Sequence, residues 1–291
     1  MEFDCSLSNS CYEKFNVDPG ILHQVDEALF PYDPSWKRIA VNLSGGADSA
    51  VGTCILLELI EKFGNNTEVF VLTNIRVWNN RPWAGPISIE VYNKIREMFP
   101  NVNMQRIQNF IPPEIEEGVL RNDRNLNGVL SEIGLSGDRL CTQSFNKYVT
   151  YTYNLEAVYS FITNNPPELE FKHRQSPVDR FWNQERLDNT DKNPQFGEDT
   201  LNSKHVHPWK LISKDFIIGQ YVRRGWEDLL NTTRSCEGDY NLFPDTDFVD
   251  YSKYKHGVTK LVTCTDVTSD PDRGCYWCAE REWAKKKVNS L

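Results

Sequence analysis

No run in the chain approaches the ~20 consecutive apolar residues that span a bilayer; Cys54-Ile55-Leu56-Leu57 is cut at once by Glu58. There is no excess of positive charge either. Lys and Arg number 32 against 41 Asp and Glu, a formal net charge of −9. That balance weighs against a polyanionic partner such as tRNA or DNA, and only a local basic patch would reopen it. The opening residues, Met1-Glu2-Phe3-Asp4, lack the basic segment and apolar run of a secretory leader. A cytoplasmic, reducing setting with no membrane partner is therefore expected, where cysteines serve more often as metal ligands or catalysts than as disulfides. Internal repeats and low-complexity tracts are absent as well. The apolar share is 39%, about 44% with the 16 glycines counted, so disorder is not indicated.

What is present is an alternating pattern. Residues 1–36 are polar and irregular, with at most one short helix at Ile21–Leu29, and read as an N-terminal extension. Arg38–Leu43 is a short apolar run, expected as a buried strand. Ala50–Phe63 carries Val51, Ile55, Leu59 and Ile60 at helical spacing, with Gly64 as its stop. Val69–Leu72 is a second strand, Ile87–Phe99 a helix closed by Pro100, and Val102–Ile107 a third strand. Strand, turn, helix, strand, helix, strand predicts an α/β fold, a parallel sheet with helices packed on it. A helix is expected from Ser144 to Ile162, a loop-like insertion over 163–207, and a helix over Lys214–Arg224 capped by Ser213. The expected organisation is an α/β domain over 37–230 and a cysteine-bearing region over 231–291.

Ser44-Gly45-Gly46-Ala47-Asp48-Ser49 lies between the first strand and the first long helix. Adjacent glycines let backbone N–H groups approach a ligand. The helix start adds free donors and the positive end of its dipole, and Ser44 and Ser49 add hydroxyls. The six residues form a nest for an anion, most naturally a phosphate chain. The Gly-Lys-Ser/Thr ending of the Walker loop and the third glycine of the dinucleotide fingerprint are both missing.

Half of the eight cysteines fall in the last fifth of the chain: Cys236, Cys264, Cys275 and Cys278. Four thiolates with one Cys-x-x-Cys pair suit a tetrahedral zinc site. Buried thiols, a redox disulfide at Cys275/Cys278 and an iron–sulfur cluster remain open alternatives. Cys5, Cys11 and Cys141 have no assigned role, and Cys54 is expected to pack in the helix after the glycine turn. His205 and His207 are expected in ordinary polar or core roles. Lys285–Lys287 is expected as a solvated basic tail.

The Ser44–Ser49 hexad resembles the PP-loop of the ATP pyrophosphatase superfamily, the adenine nucleotide alpha hydrolase-like fold. The resemblance implies that Ser44, Gly45, Gly46, Ala47, Asp48 and Ser49 hold the phosphates of ATP, that Asp48 helps place Mg²⁺, and that AMP is transferred to a carboxylate or carbonyl oxygen. Further along, Pro208–Ile217, Thr233-Arg234-Ser235-Cys236, Cys264 and Cys275-x-x-Cys278-x-x-Arg281 resemble the carboxy-terminal end of the 7-cyano-7-deazaguanine synthase family. The likeness covers roughly 37–63 and 206–284; the middle is not matched.

That resemblance implies a ligase-type enzyme making a nitrile from 7-carboxy-7-deazaguanine, ammonia and ATP, as in queuosine biosynthesis. Cys236, Cys264, Cys275 and Cys278 would hold structural Zn²⁺, Lys214 and Arg281 would contact phosphate or substrate carboxylate, and the enzyme would be a homodimer. Two other enzyme types share such a loop. One is a sulfur-transfer enzyme (a thiolase or a phosphoadenylylsulfate reductase-like protein). The other attaches a deazaguanine to a macromolecule. A catalytically silent nucleotide-binding protein is the third alternative.

Overall fold

A computed structural model describes residues 30, 32–63, 66–76, 84–111, 137–163, 196–198, 203–209, 212–236 and 276–289. The chain alternates as expected: β1 (Arg38–Asn42), α1 (Ala47–Phe63), β2 (Glu68–Arg76), α2 (Ala84–Met98) and β3 (Met104–Ile111). Then follow α3 (Gly137–Tyr153), β4 (Ala157–Tyr159), β5 (Phe196–Glu198), β6 (Lys204–Val206), α4 (Lys214–Arg224), α5 (Glu227–Thr232) and α6 (Tyr276–Asn289). The strands form one six-stranded sheet in the order β3-β2-β1-β4-β6-β5. All neighbours pair in parallel except the edge pair β5–β6, which is antiparallel. The fold is α/β. Among the described residues no helix is long and apolar enough to cross a membrane.

Strand side chains alternate between the two faces of a sheet, and both faces are covered here. Ile39 and Val41, Val69 and Val71, and Ala157 and Tyr159 enter the larger core, with α1, α2, α4 and α6. Their sequence neighbours Ala40, Phe70, Leu72 and Val158 enter a smaller core with Val149 of α3. Burial on both sides is why these strands read as continuous apolar runs instead of alternating ones. Phe30 and Trp36 are buried in the larger core too, so the end of the segment read as an N-terminal extension packs against the sheet. The predicted helix Ile21–Leu29 lies outside the described residues.

The middle of the chain departs from expectation. The helix expected over Ser144–Ile162 starts at Gly137 and stops at Tyr153. Asn154 takes the left-handed conformation with φ 53°, and Leu155 N–H returns to Thr150 C=O at 3.1 Å, which closes the helix. Ala157–Tyr159 is then a strand pairing directly with β1. The segment 163–207, read as loop-like, contributes β5 and β6, and His205 sits within β6. Ser213 does occupy the cap position of α4 but makes no side-chain capping bond. Its hydroxyl donates instead to the Asp215 carboxylate.

α1 is buried along nearly its whole length, and Gly52 is the reason it can lie so close to the end of β4. A Cβ at Gly52 would stand 2.3 Å from the Phe161 ring. That ring is packed between Phe30, Tyr159 and Trp209, with centroids at 6.0, 6.3 and 6.2 Å. Alanine is worth up to about 1 kcal/mol more than glycine inside a helix, but overpacking a closed core costs about 1–3 kcal/mol, and here the neighbour is a fixed ring. Gly52→Ala is expected to lower the melting temperature by several degrees. A melting point at or above the native value would show that the ring moves freely.

Candidate functional site

β1 lies between β2 and β4 at the centre of the sheet. The chain leaves it for β2 on one side and later enters β4 on the other, which makes the carboxyl end of β1 the switch point where ligands of such sheets bind. Asn42 marks it, its side-chain amide donating to Tyr159 C=O at 3.2 Å and Ser160 Oγ at 3.1 Å at the end of β4. The ladder continues one step, Leu43 N–H to Leu72 C=O at 2.8 Å, and then the Ser44–Ser49 turn begins.

Gly45 has φ +83°, a conformation that L side chains rarely adopt. The turn is tied internally. The hydroxyls of Ser44 and Ser49 are 3.2 Å apart, Gly46 N–H donates to Ser44 Oγ at 3.3 Å, and Ser49 Oγ donates to Gly46 C=O at 3.1 Å. Helix α1 starts at Ala47, directly after the turn, and its first-turn Asp48 and Ser49 N–H groups have no carbonyl partner inside the helix.

Carbonyl oxygens of the loop are engaged, one by the helix start and three from elsewhere in the chain. Arg234 N–H donates to Gly45 C=O at 2.9 Å, and Ala50 N–H to Gly46 C=O at 3.1 Å. Tyr221 O–H donates to Ala47 C=O at 2.6 Å and Trp209 Nε1–H to Asp48 C=O at 3.1 Å. Burial pushes the Tyr221 hydroxyl well above its ordinary range, so it stays protonated and remains a donor. Occupying the carbonyls removes partial negative charge from the cradle and leaves a site that favours an anion. Ser235 adds an Oγ that accepts from Ala47 N–H at 3.5 Å.

One acid and one base complete the turn. Lys214, the first residue of α4, is 1% exposed, and its ammonium donates to Asp48 Oδ2. It also lies 3.7 Å from the Glu280 carboxylate, itself 1% exposed, and 6.0 Å from the Trp277 ring centroid. Asp48 Oδ1 is buried and makes no hydrogen bond among the described residues. An anionic oxygen left in that position suits a divalent cation, since Mg²⁺ takes carboxylate oxygens together with phosphate oxygens. The loop and Asp48 therefore fit a Mg²⁺-bound polyphosphate.

Arg281 stands differently from Lys214. Its guanidinium donates to Thr233 C=O at 3.0 Å, Thr233 Oγ1 at 3.1 Å and Leu230 C=O at 2.7 Å. Burial draws its pKa below the usual arginine value. These bonds hold the segment whose next two residues, Arg234 and Ser235, touch the loop. Arg281 thus supports the site through that segment.

Of the four tail cysteines, Cys236 and Cys278 are described and buried; Cys264 and Cys275 lie outside the described residues. Among the described residues no group of three or more His, Cys, Asp or Glu side chains is placed to hold a metal. Cys54 is fully buried in α1, and burial raises its thiol well above the ordinary value, in keeping with the packing role expected for it.

The residues that support the loop from a distance (Tyr221, Trp209, Ser235 and Glu280) were not singled out by the sequence as contacts of the loop. Their partners are separated from them by more than sixty positions in the chain. Trp209 and Ser235 stand in segments notable for their sequence resemblance, but that resemblance assigns them no contact with the loop.

No protein-family model and no curated protein sequence matches the chain. Among solved structures, similarity is found to the U34-tRNA thiolase NcsA from Methanococcus maripaludis with its [4Fe-4S] cluster. That match has 11% identity and TM-score 0.41 over 94% of this chain and 80% of the other. NAD+ synthetase from Burkholderia pseudomallei is similar at 11% identity and TM-score 0.37, over 99% and 91% of the two chains. Similarity at this level carries nothing about the site, whose reading rests on its own geometry.

Proposed function

We propose that the chain is an ATP-dependent, AMP-forming enzyme of the PP-loop type. The observation that carries this is the Ser44–Ser49 cradle. A positive-φ glycine, engaged carbonyls and a helix start stand at the switch point of a parallel sheet, with Lys214 beside them and with Asp48 Oδ1, which makes no hydrogen bond among the described residues. Mg²⁺ bound there would neutralise phosphate charge. Loop N–H groups and the Ser44 and Ser49 hydroxyls would orient the phosphate chain, and Asp48 would hold the cation. An acceptor oxygen attacks the α-phosphorus, the bond to the β-phosphate oxygen breaks, and pyrophosphate leaves. Positioning and charge stabilisation supply the acceleration.

The acceptor we propose is the carboxylate of 7-carboxy-7-deazaguanine. Ammonia displaces AMP to give the amide; a second ATP adenylates the amide oxygen, and loss of AMP and protons leaves the nitrile. Support for this substrate is the sequence likeness of Thr233–Cys236, Cys264, Cys275, Cys278 and Arg281. The same likeness supports one Zn²⁺ on the four cysteines, a homodimer, a small-molecule rather than a nucleic-acid partner, and a cytoplasmic setting.

Incubation with ATP, Mg²⁺, 7-carboxy-7-deazaguanine and ammonium is expected to yield AMP, pyrophosphate and amide or nitrile by mass spectrometry, from a colourless protein with one zinc per chain. AMP release that is indifferent to the deazaguanine would remove this substrate and leave the adenylation chemistry. A brown protein containing iron would remove the zinc assignment.

A further inference from the structure

Lys214 is a buried ammonium that, among the described residues, meets Asp48, Glu280 and Trp277. Asp48 accepts its hydrogen bond from the loop side. From α6, Glu280 places a buried carboxylate 3.7 Å away and Trp277 an aromatic face at 6.0 Å. Trp277 and Glu280 are three positions apart and so share one side of the helix. Two carboxylates for one ammonium is more than the ammonium needs while Asp48 is engaged. The arrangement makes sense if Asp48 has a second task. A carboxylate cannot hold Mg²⁺ well while it remains the sole counter-ion of a buried lysine, because a buried cation that loses its partner is strongly destabilised.

We propose that Glu280 is a positioning residue that frees Asp48 for Mg²⁺. When the cation takes Asp48, Glu280 and Trp277 keep Lys214 charged and in place beside the phosphates. The inference rests on the polyphosphate reading of the Ser44–Ser49 loop. It makes the carboxy-terminal helix part of the nucleotide site, two residues after Cys278.

The consequence is a specific linkage. Without Mg²⁺, Lys214 keeps Asp48, and Glu280 matters little to nucleotide binding. With Mg²⁺, Lys214 depends on Glu280. The test is calorimetric titration of the full chain with α,β-methylene-ATP, without Mg²⁺ and at saturating Mg²⁺. The quantity compared is the factor by which Mg²⁺ tightens binding. Glu280→Gln is expected to leave the Mg²⁺-free affinity within about twofold and to lower that factor about tenfold, the scale of a lost charge-assisted contact.

Glu280→Asp keeps the charge but draws it back from Lys214. It is expected to fall between the native chain and Glu280→Gln, and it carries the test if the glutamine variant does not fold. A factor unchanged in the variants overturns the proposal, even if affinities with and without Mg²⁺ fall together, since equal losses mean a merely structural role. No binding of the analogue by the native chain overturns the polyphosphate reading, and this proposal with it.

Discussion

Asp48→Ala is expected to lower the proposed ATP-dependent AMP release by about 10²- to 10³-fold, the usual cost of deleting one preorganised charge-stabilising group. The size follows from how much converges on this residue. Asp48 Oδ2 receives the Lys214 hydrogen bond, Oδ1 is buried with no hydrogen bond among the described residues, and the backbone carbonyl is fixed by Trp209. Only the side-chain interactions are lost on truncation; the Trp209 contact is to the main chain and survives. Lys214 retains Glu280, so the variant is not left with an isolated buried ammonium. The stability loss is accordingly expected at about 1–3 kcal/mol, below the 3–5 kcal/mol of an abandoned buried charge. The checks are AMP release under saturating ATP, a thermal melt, and metal content, which should match the native chain. Turnover within threefold of native would place the chemistry elsewhere.

The loop was legible in the sequence because its requirements are local. A strand, two glycines, an acid and a helix start follow one another, and each is dictated by neighbouring residues. β1, α1, β2, α2 and β3 were legible for the same reason, through period and breakers. β4 was not. It has three residues, Ala157–Tyr159, too few to show a period, and only the left-handed Asn154 before it marks the end of the helix.

The supports of the loop were illegible for a different reason. Tyr221, Trp209 and Ser235 meet the loop across 161–188 positions of chain, and only the folded sheet brings them there. Arg281 differs from these supports. Sequence likeness marked it as a contact for phosphate or carboxylate, and Lys214 with it. In the structure Lys214 reaches the loop acid, whereas the described hydrogen bonds of Arg281 go to Leu230 and Thr233. Two basic residues with the same sequence credentials therefore make different described hydrogen bonds. A spacing pattern cannot separate them, because it carries no direction for the side chain.

Gly45→Ala is expected to be the most damaging single-methyl change in the loop, and Gly46→Ala beside it comparatively mild. At Gly45 two costs act together. The φ of +83° disfavours any L side chain by about 1–2 kcal/mol. The new Cβ would also stand 2.9 Å from Ile87 Cγ2 and 3.1 Å from Ser88 N. Ser88 N is helix backbone and Ile87 is buried, so neither can turn aside as the tip of an exposed side chain could. The combined loss is about 2–4 kcal/mol, or the loop shifts and releases the 2.9 Å bond from Arg234 N–H to Gly45 C=O, which spoils the cradle instead. Gly46 lies outside the left-handed region, and its added Cβ would meet Ser44 Oγ at 3.4 Å, Arg234 O at 3.7 Å and Ser235 Oγ at 3.8 Å. Those are ordinary contacts, and the melting temperature should change by little, within about 1 kcal/mol of stability. Yet those three atoms belong to the loop and to the segment braced against it, so the methyl narrows the space where phosphate oxygens would approach the N–H groups. Gly46→Ala should therefore weaken nucleotide binding at nearly native stability, while Gly45→Ala loses both. Melting curves and calorimetric titration of the two variants with an ATP analogue separate the outcomes. Equal melting temperatures for the two variants would show that the backbone at Gly45 is not held as described.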